Sequence, residues 1–209
     1  MNIDVAFTER GIRKDVDIHV FTPEPSLLRL AGPEASAGFK AYLAGRGITL
    51  HNEQSLAKVD LDGRCAAFQS GKRVDYDLLI TVPVHRTAGY LRDAGLVAES
   101  GWIPVDPATL KTQHQGVFAV GDATSLLMAN GNPLPKAGVF ASAEGETVAR
   151  NLAAEIQGGQ ATTFPGEGAC FIDYGSGKAS MITGSFLAAE RPQVSMVPPS
   201  VRWHHKKLR

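Results

Sequence analysis

Apolar runs and helical spacings alternate along the first fifty residues. The opening residues predict a helix that ends at Arg10–Gly11, and the apolar run VDIHVF at 16–21 predicts a strand that is stopped by two prolines. Residues 39–47 have helical spacing and end on a glycine, and residues 48–52 predict another strand. Strands separated by helical pieces are typical of an α/β protein.

A β-rich stretch follows. Roughly alternating segments at 55–60, 64–69 and 72–75 are separated by two glycine-containing turns, and together they predict a small antiparallel meander. Residues 76–82 (YDLLITV) then form a nearly continuous apolar run. Such a run predicts a parallel strand that is covered on both of its faces.

The second half of the chain predicts one long helix between strands. Residues 116–120 (GVFAV) predict a buried strand, and residues 138–156 predict a helix that closes at Gly158–Gly159. Four apolar residues of this helix recur at helical spacing and predict one buried stripe: Ala149, Leu152, Ala153 and Ile156. Residues 164–186 predict two strands around a glycine-rich turn, and a proline-rich stretch then leads to the basic segment 203–209.

The balance of charge and the composition exclude several classes of protein. Lys plus Arg number 21 and Asp plus Glu number 21, so the net charge is zero, which gives no support for nucleic-acid binding. No apolar run approaches the roughly 20 residues of a membrane span, and the polar N-terminus is not a secretory signal. The two cysteines and six histidines show neither a disulfide framework nor metal-ligand spacing. We therefore expect a soluble, cytoplasmic protein without a resident metal.

The strongest chemical signal lies where the strand at 116–120 meets Gly121 and Asp122. A glycine at a strand end lets the backbone approach a ligand closely, and the aspartate can accept a hydrogen bond from a hydroxyl of a sugar or ribityl chain. A strand that ends in an ordinary turn explains the seven residues 116–122 equally well.

A second signal lies where Leu134-Pro-Lys-Ala-Gly138 opens the long helix. The free N–H groups and the positive end of the helix dipole attract anions, and Lys136 adds a positive charge just before them. This arrangement suits the negatively charged edge of a reduced flavin. Taken alone, the segment also fits a proline-led helix start with a solvated lysine.

Together these segments resemble a known family. GVFAVGDAT at 116–124 and NPLPKAGVFASAEGETVARNLAAEI at 132–156 look like the second flavin-binding segment of the pyridine nucleotide-disulfide oxidoreductase superfamily. The chain is most similar to the branch of sulfide:quinone oxidoreductases and sulfide dehydrogenase flavoproteins. Further similarity lies in VDIHVFTPEP at 16–25, in YDLLI followed by PVHR within 76–86, and in GACFIDYG at 168–175.

The resemblance implies roughly the C-terminal half of a Rossmann-like fold with two dinucleotide-binding domains. Residues 1–75 would complete an inserted NAD(P)-type domain, and residues 76–157 would form the C-terminal part of the FAD-binding domain. Residues 158–209 would form a β-rich region at the substrate face of the flavin or in the contacts of a homodimer. The implied reaction passes electrons from a small reduced donor through FAD to a quinone or another acceptor.

The resemblance also implies which residues bind the cofactor. Asp122 would hold the ribityl chain of FAD, and Gly121 would permit its approach. The backbone of Ala137 and Gly138, together with Lys136, would face the pyrimidine edge of the isoalloxazine ring.

The resemblance also implies roles for Pro83 and Cys170. Pro83 would lie in a segment beside the flavin. Cys170 matches a C-terminal cysteine that carries sulfur to the flavin together with a second cysteine, although a small buried thiol is a simpler interpretation of it. Cys65 lies in the meander and does not match the position of that second cysteine, so we expect it to be structural.

The sequence departs from the family in one important respect. It contains no GxGxxG motif, the fingerprint that binds the ADP part of a dinucleotide, and we expect that motif N-terminal to Met1. Two alternatives therefore stay open: an NAD(P)H-dependent flavin or quinone reductase of the same superfamily, and a flavin-free dimerising fragment without activity. The basic C-terminus is compatible with peripheral contact at the inner face of a membrane.

Overall fold

The structure, a computed structural model, describes residues 1–208 and divides them into two compact units. Of the described residues, the first unit comprises 1–83, 173–180 and 199–208, and the second comprises 84–172 and 181–198. The predicted division at residues 75 and 157 stays a prediction. The terminal Arg209, part of the basic segment, lies outside the described residues.

The chain forms five α-helices and ten strands within the described residues. The helices are α1 Asn2–Glu9, α2 Pro33–Gly45, α3 Gly89–Asp93, α4 Gly138–Gln157 and α5 Val201–Lys207. The strands are β1 Ile18–Phe21, β2 Ile48–His51, β3 Leu56–Asp60, β4 Cys65–Phe68, β5 Arg73–Asp75, β6 Ile103–Pro104, β7 Thr124–Ser125, β8 Glu167–Gly175, β9 Lys178–Ser185 and β10 Gln193–Met196. This mixture confirms the α/β class predicted from the sequence.

The first unit contains a parallel pair and an antiparallel meander. β1 and β2 pair in parallel, with Ile18 opposite Ile48 and Phe21 opposite His51, and α2 packs against β2. Since parallel neighbours need a crossover, α2 is the connection that returns the chain to the same end of the sheet. β3, β4 and β5 form the predicted meander, in which the Asp60 carboxylate accepts the N–H of Gly63 across the first turn.

A buried aspartate ties together the helices of the first unit. Asp4 on α1 is 2% exposed, and its carboxylate accepts hydrogen bonds from Arg13, at 2.6 Å, and from Arg46. Burial alone would raise the pKa of Asp4, but the bonds from the two guanidinium groups outweigh burial and lower it. Arg13 also donates to the carbonyl groups of Arg46 and Gly47, so one carboxylate organises both the start of the chain and the end of α2.

An aromatic stack with two imidazoles lies on the β1–β2 sheet. The ring of Phe21 stacks on His51, at 4.4 Å between centroids, and on Phe68, at 4.5 Å. Nitrogen Nδ1 of His51 lies 3.2 Å from Lys72 Nζ, and Nε2 lies 3.1 Å from Nδ1 of His19. A consistent proton arrangement has the ammonium of Lys72 donating to a neutral His51, which in turn donates to His19.

The second unit is built around α4. Phe140 is 1% exposed and packs edge-on against Phe186 at 4.9 Å between ring centroids. Gly168 on β8 is required here, because a Cβ at this position would lie 2.5 Å from the Phe140 ring. The helix ends at Gly158 in the left-handed conformation, which is a common helix C-cap. This unit also contains β10 and the parts of β8 and β9 at residues 167–172 and 181–185, in a sheet with the order β10-β9-β8.

The predicted apolar stripe of α4 is wrong. Ala149 and Ala153 are exposed, Leu152 is 41% exposed and Ile156 is 85% exposed. The buried face instead presents one aromatic and three polar residues: Phe140, Glu144, Thr147 and Asn151. Helical spacing correctly placed the four apolar residues on one face, but nothing in the described chain covers that face well.

The two predicted buried strands, at 76–82 and 116–120, are also wrong. Residues 76–82 form no strand, and Leu78, Ile80 and Val82 are between 64% and 79% exposed. The backbone groups of residues 77–86 form no hydrogen bond with the backbone of any other described residue. Residues 116–120 form only an isolated bridge from Phe118 to Lys111. An apolar run becomes a strand only where another strand supplies its backbone partners.

Helix α5 was missed because its sequence, VRWHHKK, lacks an apolar period. Ser200 caps it by accepting the N–H of Trp203, and Lys207 pairs with Asp173. The guanidinium of Arg202 and the ammonium of Lys206 lie over the ring of Trp203. The basic segment is therefore partly helical and packed within the first unit.

We expect Asp4→Asn to lower the free energy of unfolding by about 2–4 kcal/mol, because two guanidinium groups would lose their buried counter-charge. Urea unfolding followed by circular dichroism measures the change. The matched control is Asp17→Asn, because Asp17 is exposed and forms no ion pair with any of residues 1–208. Equal loss in both variants would contradict the organising role of Asp4.

We expect stability to fall as the pH is lowered from about 7 towards 5, in part because of His51. Burial lowers the pKa of His51 in the folded chain, and the charges of Lys72 and His19 lower it further. The unfolded chain, in which His51 has its ordinary pKa of about 6.5, therefore takes up the proton first, and stability is complete only above that value.

The measurement is the urea unfolding midpoint between pH 5 and pH 8. His51→Phe keeps the stack on Phe21 and should flatten the pH dependence, whereas His85→Asn, in an exposed segment, should leave it unchanged. An unchanged slope in His51→Phe would rule out His51 as the source.

Candidate functional site

The loop 121–125 forms the floor of a cleft in the second unit. It begins with Gly121 at a φ of +70°, and its last two residues form β7, which pairs in parallel with β6. A Cβ at Gly121 would lie 3.2 Å from the Cβ of Ala141 on α4. Glycine thus serves both a left-handed backbone and a close approach between the loop and the helix.

Lys136 fastens this loop to the start of α4. Its ammonium nitrogen lies 2.6 Å from the carbonyl oxygen of Asp122 and 3.0 Å from that of Thr124, and 3.7 Å from the centroid of the Trp102 ring. Burial lowers the pKa of Lys136, while the negative charges of Asp122 and Glu144 act in the opposite direction. Lys136 is exposed, but its ammonium bonds two backbone carbonyl groups, so it is not the free solvated side chain that the sequence also allowed.

Glu144 is a site residue that sequence reasoning missed. It is 2% exposed, and its Oε2 accepts the backbone N–H of Gly121 at 2.5 Å. Burial raises the pKa of Glu144, an effect opposed by the N–H of Gly121 and the charge of Lys136. The available signal was the spacing of Phe140, Glu144, Thr147 and Asn151, which places a carboxyl group on the same helix face as a core phenylalanine.

Four of the predicted cofactor-binding residues line one cleft. Gly121 and Asp122 belong to the loop 121–125, and Lys136 and Ala137 lie directly before α4. The remaining lining residues come mainly from the segments around them: Trp102, Thr124, Ser125, Leu126, Pro133, Leu134, Pro135, Phe140, Ala141 and Glu144. The sequence separates the two pairs by more than ten residues, and the fold brings them together.

The Asp122 carboxylate is open to a ligand. The side chain is exposed, and it forms no hydrogen bond or ion pair with any of residues 1–208. The backbone carbonyl of Asp122 is held by Lys136, which orients the residue without using its carboxylate. An oriented but unpartnered carboxylate can accept hydrogen bonds from ligand hydroxyls.

The N-terminus of α4 is open beside this carboxylate. Ala137 is the N-cap residue and provides no side-chain cap, and Gly138 is exposed and has no atom near the position of a Cβ. The first N–H groups of a 20-residue helix therefore face the same region as the Lys136 ammonium. The cleft combines a hydroxyl acceptor with an electropositive edge.

The other two predicted residues are placed differently. Pro83 is exposed at the end of an extended segment in the first unit, and its position beside a flavin stays a prediction. Cys170 is half-buried on β8, where it shares a strand face with Gly168. Burial raises the pKa of the Cys170 thiol, which reduces its thiolate fraction at neutral pH.

Cys65 and Cys170 are both free, and Cys65 is buried in β4. Within residues 1–208, no group of three or more His, Cys, Asp or Glu side chains is placed to hold a metal ion. No helix of the described chain has both the length and the apolar character that crossing a bilayer requires.

Comparison with known proteins gives matches over most of the chain. The family described as "Pyridine nucleotide-disulphide oxidoreductase" matches residues 3–148. A mitochondrial sulfide:quinone oxidoreductase from Schizosaccharomyces pombe is 25% identical over 94% of this chain and 45% of its own length. These matches confirm the resemblance seen in the sequence.

Solved structures agree on the fold. The sulfide:quinone oxidoreductase of Aquifex aeolicus superimposes with a TM-score of 0.82 and 18% identity, over 99% of this chain and 51% of its own. A FAD-dependent pyridine nucleotide-disulphide oxidoreductase from Desulfovibrio vulgaris gives a TM-score of 0.59 and 21% identity, over 82% of this chain and 43% of its own. The chain thus spans about half the length of the relatives it matches.

Proposed function

Because the chain belongs to the pyridine nucleotide-disulphide oxidoreductase family, we propose that its cleft binds the ribityl and isoalloxazine parts of FAD. The activity we propose is that of a sulfide:quinone oxidoreductase. FAD, when bound, supplies the two-electron chemistry between donor and acceptor. The residues of this chain supply binding, orientation and electrostatics.

The observation that carries the proposal is the Asp122 carboxylate. It is exposed, unpartnered among the described residues and held at the edge of a cleft by the hydrogen bond from Lys136 to its own carbonyl. A carboxylate in this position accepts hydrogen bonds from vicinal hydroxyls, which is the chemistry that a ribityl chain offers. Gly121 lets the ligand approach the backbone at the same point.

The part of the cleft formed by Lys136 and the start of α4 suits an electron-rich ring edge. The Lys136 ammonium has three donors, two of which bond the carbonyl groups of Asp122 and Thr124. The uncapped N–H groups at Ala137 and Gly138 add the positive end of the α4 dipole. Together they favour negative charge on the ring that they face.

Sulfide and a quinone are the proposed donor and acceptor. Both names come from the relatives, which are sulfide:quinone oxidoreductases by description, and this chain contributes Cys170 as the residue proposed to handle sulfur. Since burial raises the pKa of its thiol, Cys170 reacts as a nucleophile at neutral pH only to the extent that it is deprotonated.

Two further proposals concern the surroundings of the protein. The basic helix α5, with Arg202 and Lys206 on either side of Trp203, suits contact with the anionic inner face of a membrane, because lysine and arginine are attracted to acidic lipid headgroups. We also propose a homodimer, in which residues 158–209 contribute to the interface.

We expect the purified chain to bind FAD, and we expect Asp122→Ala to weaken this binding about tenfold or more, because it loses hydrogen bonds to a charged acceptor. Quenching of flavin fluorescence gives the dissociation constant. Glu146→Ala is the matched control: Glu146 lies on α4 away from the cleft lining, is exposed, and pairs with Arg150. The absence of saturable FAD binding to the unaltered chain would overturn the proposal.

We expect anaerobic sulfide to bleach the absorbance of the FAD-loaded protein faster than NADH does. Cys170→Ser should slow the reaction with sulfide at least tenfold, because a hydroxyl cannot carry sulfur, and should leave FAD binding unchanged. Stopped-flow absorbance measures both rates. Faster reduction by NADH, unaffected by Cys170→Ser, would favour an NAD(P)H-dependent flavin or quinone reductase instead.

A further inference from the structure

Two side chains of opposite charge hold the loop 121–125 from the same segment of chain. Lys136 donates to the carbonyl groups of Asp122 and Thr124, at 2.6 and 3.0 Å. Glu144 accepts the N–H of Gly121 at 2.5 Å. The loop therefore has its first N–H held by a carboxylate and two of its later carbonyl groups held by an ammonium group.

Glu144 is an unusual residue for this position. The side chain is 2% exposed on the face of α4 that also carries Phe140. A buried carboxyl group is costly when charged, so a residue used only to accept one N–H could be a neutral amide. A carboxylate does what an amide does not: its bond to the N–H is charge-assisted, and it attracts the Lys136 ammonium.

The charged groups that act on Glu144 come from both elements packed around it. Lys136, which precedes α4, attracts its negative charge, and Asp122, in the loop, repels it. Burial has the largest effect and raises the pKa of Glu144. Protonation of Glu144, which occurs at a higher pH than for an exposed glutamate, removes the charge that strengthens the bond to the Gly121 N–H and attracts the Lys136 ammonium.

We propose that Glu144 is a positioning residue of the cleft: when ionised, it fixes Gly121 and the Lys136 ammonium, and thereby the Asp122 carboxylate, and when protonated it releases them. The proposal rests on the proposed function only for the identity of the ligand, FAD. It makes the binding competence of the cleft depend on the protonation of one buried carboxyl group.

The structure supplies an internal reporter for this proposal. The Lys136 ammonium lies 3.7 Å from the centroid of the Trp102 ring, a contact through which a change in the position of the ammonium alters the environment of the indole. The other tryptophan, Trp203, belongs to the first unit. A Trp203→Phe background therefore isolates the emission of Trp102, and the measurement requires no flavin.

The first experiment records Trp102 emission in that background, without flavin, between pH 4 and pH 8. We expect one transition, with its midpoint at a pH above the ordinary pKa of a glutamate side chain, which is about 4.3. It should be absent from Glu144→Gln and retained in Glu146→Gln. A transition that persists in Glu144→Gln, or no transition in the unaltered chain, would overturn the proposal.

The second experiment measures the FAD dissociation constant at pH 8 and at pH 5.5. Glu144→Gln is neutral at both pH values, as protonated Glu144 is, so we expect it to show at pH 8 the weakened affinity that the unaltered chain shows at pH 5.5, with little further loss between the two. Glu144→Ala should lose about tenfold at both values, because the buried N–H is left without a partner. Circular dichroism confirms that each variant is folded.

The two experiments separate the possible failures. If the unaltered chain binds no FAD while Trp102 reports the Glu144 transition, the proposed function fails and the positioning role stands. If FAD binds but Glu144→Gln leaves both the pH dependence and the Trp102 emission unchanged, the positioning role fails and the proposed function stands.

Discussion

The cleft depends on how five residues of backbone, 121–125, are held against the start of a long helix. The loop has few hydrogen bonds of its own, since β7 is only two residues long. Its position is fixed by Lys136 and Glu144, which bond its carbonyl and N–H groups, and by the bond from the Thr124 hydroxyl to the Gly121 carbonyl. The cleft is therefore defined by side-chain to backbone bonds, each of which can be removed by one substitution.

Two carboxylates, one in this loop and one beside it, differ in burial. Asp122, the proposed ligand-binding residue, is exposed, whereas Glu144, which accepts the Gly121 N–H, is buried. An exposed carboxylate remains ionised at neutral pH with little help, but a buried one needs a donor and a counter-charge. Gly121 and Lys136 supply these to Glu144, so the same contacts that shape the cleft also stabilise its buried acid.

The first unit uses the same principle for structure alone. Asp4 is as deeply buried as Glu144, yet the pKa of Asp4 is lowered while that of Glu144 is raised. The difference is that two guanidinium groups bond directly to Asp4, whereas Glu144 accepts one N–H and has its cation at longer range. A carboxylate whose oxygens both accept bonds from guanidinium groups holds structural elements together. A carboxylate with fewer donors is protonated more readily as the pH falls.

The sequence by itself determined the local elements, the family and the two halves of the cleft. The strands at 18–21 and 48–51, the meander and the helix at 138–157 follow from residue period, glycine and proline, which act over a few residues. Gly121, Asp122 and the Lys136–Gly138 segment were recognisable because their residue types carry the chemistry. Tertiary structure alone decided what is covered: Leu152 and Ile156 share a face but are exposed, residues 76–82 are apolar but unpaired, and Glu144 is polar but buried. Burial and strand pairing depend on neighbours that are distant in sequence, and periodicity contains no information about them.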